Sequence, residues 1–363
     1  MTKRPRIIAM LQLPPPMHGA AAMNERALAA LRKTCDVTLL EMRFAKHPRD
    51  IARPTIGKLL TAFYLSLRLF FELWRKPDAL YINFSPTGGA LYRDGIYALM
   101  SKLFGVPAIL HLHGQGLQAS RESRFAGWLQ HRAFAGQTAI ILGDALRQEL
   151  TGLDCQSTII ANCLPDEAFE ITRSLSGNIT PRLLYLSNLF RSKGIDDVLA
   201  ACAILRQRNI DFALDIAGAE GDISVGDLER LIDTFGLENH CLYHGLVNAG
   251  CRAKLLSKAN LFVFPTRYPN EAQPLVVLEA MAAGVPVITS SIGALGDIVR
   301  DGETGRICQP GNPEMLANRI SDALAKTKET QDMANAAQAF CHAHFSKTRF
   351  DQDWQRLIGQ IVS

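Results

Sequence analysis

Short apolar runs recur along the chain, separated by longer segments with helical periodicity and charged flanks. Six runs lie in the first half, at 6–12, 36–40, 79–83, 108–111, 139–142 and 157–160; five more lie at 182–186, 212–217, 240–244, 260–265 and 285–289. Runs of this length, rich in branched and aromatic residues and closed by turn residues, predict buried strands. Their alternation with helical segments predicts an α/β protein built on doubly wound parallel sheets. The polar, turn-rich stretch 173–181 (RSLSGNITP) breaks the rhythm and predicts a linker. The expected layout is one domain over 1–172, a second over 182–345 and a closing segment over 346–363. In that segment Phe350, Trp354, Leu357 and Ile361 fall on one helical stripe.

The stretch 270–289, NEAQPLVVLEAMAAGVPVIT, carries the sharpest chemical signal. Glu271 and Glu279 are separated by seven residues. The pattern predicts a strand at 260–265, a loop holding Glu271, a helix from near Pro274 that holds Glu279, a stop at Gly284 and a strand at 285–289. In an open parallel sheet, loops after strand C-termini face the ligand crevice. A helix starting at Pro274 would aim its positive end at a bound anion. If all eight steps were helical, the two carboxylates would stand about 12 Å apart along the axis, near the length of a sugar diphosphate.

Three further post-strand loops hold candidate chemistry. The first strand runs into LPPPMHGAAA at 13–22, where Gly19 lets a backbone approach a diphosphate closely. The segment 183–198, LLYLSNLFRSKGIDDV, reads as strand, loop and helix with Lys193–Gly194 in the loop. In ILHLHGQG at 109–116, His113 stands just past a strand end, whereas His111 belongs within the strand. No G-x-G-x-x-G occurs after the first strand, which argues against a nicotinamide dinucleotide site.

This set resembles the retaining glycosyltransferases of family 4, with their E-x7-E motif and GT-B fold. The resemblance implies two doubly wound Rossmann-like domains facing across a cleft, with a C-terminal helix crossing back. It implies that Glu271 holds sugar hydroxyls, Glu279 the ribose, Lys193 the diphosphate, and that His113 approaches the transferred sugar. Gly19, Asn188, Gly218, Val247, Gln273 and Leu275 are then expected on the donor, with Asn162 a further family-like position. The family commonly carries Gly-Arg where this chain has Ser187–Asn188, so Arg191 is the candidate for the missing cation. Backbone N–H groups after the first glutamate hold the sugar in relatives; here Ala272–Gln273–Pro274 follows Glu271, and proline has no N–H. By resemblance the reaction retains anomeric configuration through a front-face route. The donor is a UDP- or GDP-linked sugar, and no divalent metal and no cofactor are expected. A nucleotide-sugar epimerase of the same fold, or a non-catalytic partner of another transferase, are the alternative readings.

Composition narrows the partners. The chain has 363 residues, enough for two domains with their own cores, and its formal charge of +4 is too mild for a nucleic-acid binder. Eight cysteines without C-x-x-C spacing fit buried thiols in a reducing cytosol, and no cluster has metal-ligand spacing. The short apolar run after Lys3, Arg4 and Arg6 reads as a first strand rather than a signal peptide. No run is long enough to span a bilayer. The segment 59–74, LLTAFYLSLRLFFELW, aligns Leu59, Phe63, Leu67, Phe70 and Trp74 on one helical face flanked by Lys58, Arg75 and Lys76. That face either packs on the sheet, as helices of this class do, or meets anionic lipid. Together with the basic, aromatic-bearing stretch 121–132, it points to a cytoplasmic enzyme peripheral to the membrane, using a polyprenyl-linked acceptor in surface polysaccharide or glycolipid synthesis.

Overall fold

The computed structural model describes residues 4–15, 19–44, 55–174 and 180–361. The chain divides into two compact units, one formed by 1–163 with 348–363 and the other by 164–347. Each is built on one six-stranded sheet in which every pairing is parallel.

The first sheet has the order β2-β1-β3-β4-β5-β6, formed by β1 (Arg6–Leu11), β2 (Asp36–Glu41), β3 (Ala79–Phe84), β4 (Ala108–Leu112), β5 (Gln137–Ile141) and β6 (Cys155–Ile159). Its central strands are sealed on both faces, as a parallel sheet between helical layers requires; Ile7–Leu11, Leu80–Ile82 and Ile109–Leu110 are buried. The chain steps from β1 to β2 in one direction and then through β3, β4 and β5 in the other. Right-handed crossovers therefore place the helix Gly19–Thr34 on one face and the helices Ile56–Trp74, Gly88–Leu103 and Arg124–Phe134 side by side on the opposite one. Neighbours in that row touch. Tyr97 Oη donates to the Ala62 carbonyl at 3.2 Å, and a Cβ on Gly95 would meet the Leu129 side chain at 2.7 Å. The closing helix Lys347–Ile361 joins this unit on the side of Gly19–Thr34, where Lys33 pairs with Asp351. Its buried Trp354 sets its ring edge-on to Tyr81 of β3, centroids 4.9 Å apart.

The second sheet has the order β12-β11-β10-β7-β8-β9, with β7 (Arg182–Leu186), β8 (Ala213–Ala217), β9 (Cys241–Tyr243), β10 (Leu261–Phe264), β11 (Val287–Thr289) and β12 (Arg306–Ile307). The chain leaves β7 toward β8 but arrives at β10 on the other side of β7, so the order reverses between β7 and β10.

Several expectations need correction. The division falls between Cys163 and Leu164 rather than at 172/173. Arg173 is tied into the second unit by the Gly284 carbonyl (3.1 Å) and Gln331 (2.7 Å), and Ser174 N donates to Ser257 O. The linker core at 175–179 lies outside the described residues, as do 16–18 ahead of Gly19. The strand expected from Val285 starts at Val287, because the N–H groups of Gly284 and Val285 turn back to close the preceding helix. Cys251 is exposed rather than buried. The face of 56–74 that packs is Leu65, Leu69 and Leu73; Leu59, Phe63, Leu67, Phe70 and Trp74 are exposed.

Candidate active site

The order reversal in an open parallel sheet leaves a crevice where two loops diverge, and in the second unit those are the loops after β7 and β10. Lys193 comes from the first of them and Glu271 from the second. The Lys193 Nζ stands 2.6 Å from Glu271 Oε2, with both side chains largely buried. Thr266 Oγ1 lies 3.3 Å from the same oxygen, and the ammonium sits 4.2 Å from the centroid of the Tyr268 ring. Gly194 permits this approach. Its φ is +86°, and a Cβ there would stand 2.4 Å from the Pro265 carbonyl oxygen at the end of β10.

Glu271 lies in the loop, not on the helix, which runs Leu275–Ala282 with Pro274 as its N-terminal cap residue. The fully helical spacing of the two carboxylates therefore does not apply. Glu279 is on that helix, and its Oε1 is 3.3 Å from a guanidinium nitrogen of Arg252, on the helix Ala249–Lys258. Gln273 is buried beside Glu271, and Leu275 is half-buried at the first helical turn.

Arg191, in the same loop as Lys193, has a half-exposed side chain. Its guanidinium contacts both carboxylate oxygens of Asp196 at 3.0–3.1 Å, and its backbone N–H donates to Asp222. A second arginine, Arg267, sits in the β10 loop with its backbone N–H on Ser192 O and its guanidinium 2.7 Å from Asp197. Asn188 accepts the Ala219 N–H through Oδ1 at 3.2 Å, fixing the β7 loop against the β8 loop. Gly218 makes that crossing possible: its φ is +151°, and a Cβ would overlap the Ser187 carbonyl at 1.9 Å. Val247, past β9, is half-buried.

Gly19 and His113 belong to the first unit. Gly19 opens the helix Gly19–Thr34 after β1, which lies on one side of that sheet's own order reversal, between β1 and β3. His113 stands one residue beyond β4, half-buried, its ring tilted by 34° against that of His111 with centroids 3.9 Å apart. The fully buried His111 shares a 2.9 Å hydrogen bond between Nδ1 and Tyr81 Oη. Burial lowers the His111 pKa well below the ordinary histidine value, and His113 adds in the same direction. The loop after His113 is pinned by buried Glu149, whose Oε2 accepts from Gly116 N at 3.1 Å and Gln118 N at 2.9 Å. Asn162 is buried near the end of this unit.

Sequence reasoning did not single out Thr266, Tyr268, Arg252, Arg267 or Glu149. The first, second and fourth lie in the β10 loop already flagged by Glu271, and that position is the signal that could have found them. Among the described residues, no group of three or more His, Cys, Asp or Glu side chains is placed to hold a metal.

Residues 169–340, all within the second unit, match the family model described as glycosyl transferases group 1. It is 27% identical over 279 residues to glycogen synthase of Mycobacterium tuberculosis, covering 71% of this chain and 62% of the relative, so it spans under two thirds of that enzyme's length. A D-inositol 3-phosphate glycosyltransferase of an Arthrobacter species is 35% identical over 158 residues, 43% of this chain and 37% of the relative. Among solved structures, HepE of Anabaena in complex with UDP and glucose superposes with a TM-score of 0.76 at 21% identity, covering 98% of this chain and 99% of that one. The fold is GT-B, with two Rossmann-like units.

Proposed function

We propose that the protein moves a sugar from a UDP- or GDP-linked donor to an acceptor saccharide carried on a polyprenyl-type lipid. In this reading anomeric configuration is retained and no divalent metal takes part. The observation that carries the reading is the Lys193–Glu271 pair at the order reversal of the second sheet. An ammonium suits the diphosphate of such a donor, and a carboxylate suits its sugar hydroxyls. As the bond from the anomeric carbon to the diphosphate oxygen breaks, negative charge grows on the leaving group. The Lys193 ammonium is the group suited to offset it. The acceptor oxygen bonds to the same carbon, and its proton passes to the departing diphosphate oxygen. Glu279, beside Arg252, suits the ribose hydroxyls. Further support comes from relatives named as glycosyltransferases and from the UDP and glucose bound to HepE.

The test is release of nucleoside diphosphate across a panel of UDP- and GDP-sugars, in chelator, with and without a lipid extract. Glu271→Gln is expected to lower turnover by roughly a hundredfold or more while the fold persists. Glu279→Ala is expected to weaken donor binding roughly tenfold with a smaller effect on turnover. Wild-type rates for Glu271→Gln across the whole panel would remove the assignment, and activity restored only by magnesium would overturn the metal-free reading.

A further inference from the structure

The layer of three helices on one face of the first sheet carries an apolar outer surface that stands exposed among the described residues of its unit. Along Ile56–Trp74, the side chains of Leu59, Phe63, Leu67, Phe70, Phe71 and Trp74 lie on the side of the helix away from Leu65, Leu69 and Leu73. Trp74 is 71% exposed. The surface continues onto the next helix: Phe70 and Trp74 pack against Phe104, at centroid distances of 5.2 and 6.4 Å, beside Leu103, which is 85% exposed. On the third helix the exposed Phe125 stacks between Tyr92 and Trp128. A contiguous patch of this kind on a folded unit marks a surface meant to meet something.

Charge identifies the partner. Segments 55–76, 88–104 and 117–135 carry nine Lys or Arg residues and three acids, a surplus larger than the +4 of the whole chain. Two of the acids are already neutralised: Glu72 pairs with Arg75, and Asp94 is buried against Arg93 and the Ser85 N–H. Arg68 stands within the apolar strip over the Tyr64 ring, and Arg124 and Arg132 are exposed around Phe125 and Trp128. Aromatic rings mixed with long cationic side chains suit the boundary between water and lipid, where the rings sit at headgroup depth and the cations reach lipid phosphates. A second copy of the chain fits poorly, because a two-fold interface would set these cations against their own kind.

We infer that this three-helix face docks the first unit onto an anionic lipid bilayer. The helices lie in the plane of the interface, since no helix among the described residues is long and apolar enough to cross a membrane. The inference deepens the lipid-carried acceptor proposed above and rests on it for its purpose, but the binding stands on the surface alone.

The experiment is co-sedimentation of the full chain with vesicles of phosphatidylcholine, or of phosphatidylcholine mixed with phosphatidylglycerol, with no donor or acceptor present. Binding is expected to the mixed vesicles and to decline as salt screens the cations. Leu59→Ser with Phe63→Ser should weaken it roughly tenfold or more at unchanged melting temperature. Arg68→Gln with Arg124→Gln should weaken it on mixed vesicles and reduce its salt dependence. Three results would overturn the inference: no binding by the wild type, marked unfolding of the Leu59/Phe63 variant, or self-association of the wild type in ultracentrifugation that this variant abolishes. Each is independent of donor turnover, so failure here leaves the transfer reading standing, and failure of transfer leaves this one standing.

Discussion

His111 and His113 stand two residues apart, yet they occupy different chemical worlds. One lies wholly inside the first sheet with Nδ1 on Tyr81, and the other stands at the strand end in partial contact with water. Because burial lowers the His111 pKa, the folded state holds this ring neutral at a pH where the unfolded chain takes up a proton. Its stabilising contribution is complete above the unfolded histidine value and is lost as pH falls below it, at up to about 1.4 kcal/mol per pH unit. Denaturation measured from about pH 7 to pH 5 should show this slope in the wild type. The slope should flatten by one proton in His111→Asn, which keeps an acceptor for Tyr81; identical slopes would remove His111 from the account. His111 is inside because it lies within β4, a strand buried on both faces, whereas His113 lies past its end. Residues two apart share a side of the strand, so the two imidazoles meet; what the period does not convey is the tilt between their rings, which depends on the backbone past Leu112. The same holds for Lys193 and Glu271. Each was legible as a post-strand residue, but their contact across 78 positions depends on which strands are neighbours, and strand order is not written in local periodicity.

At the scale of elements, the approach of the β7 loop to the end of β10 hinges on Gly194. Gly194→Ala places a Cβ against the Pro265 carbonyl in a backbone conformation that disfavours it, and should cost on the order of 2–4 kcal/mol. Gly302→Ala shares a positive φ but meets nothing within 4 Å, and should cost about 1 kcal/mol. Equal losses in urea titrations would mean that conformation alone, and not the close approach, sets the requirement. Most strands were legible because parallel strands buried on both faces are apolar throughout. The pair Arg306–Ile307 escaped because two residues carry no period. The helix Ile56–Trp74 left two readings open for a different reason. It is apolar around most of its circumference, so periodicity identifies the helix but not its inward side. The inward side is set by how Leu65, Leu69 and Leu73 meet the sheet.

Across the whole molecule, all three tryptophans, Trp74, Trp128 and Trp354, lie in the first unit. Their fluorescence therefore follows that unit, while calorimetry follows both. A nucleoside diphosphate held by the second unit at about a hundred times its dissociation constant should stabilise that unit by about 2.7 kcal/mol. The calorimetric transition should move upward while the tryptophan transition stays in place; an equal shift in both signals would mean that the units melt as one. The position of Trp354 bears on how the chain comes off the ribosome. The second unit is one uninterrupted stretch, whereas the first has its two pieces separated by all of it. During synthesis the first sheet is made early but must wait for Trp354 to cover Tyr81 until residues 164–347 have been made, roughly 10–40 s at ordinary rates of elongation. The unit begun first is thus the one completed last, and through that interval its unfinished face is the part of the nascent chain most in need of a chaperone.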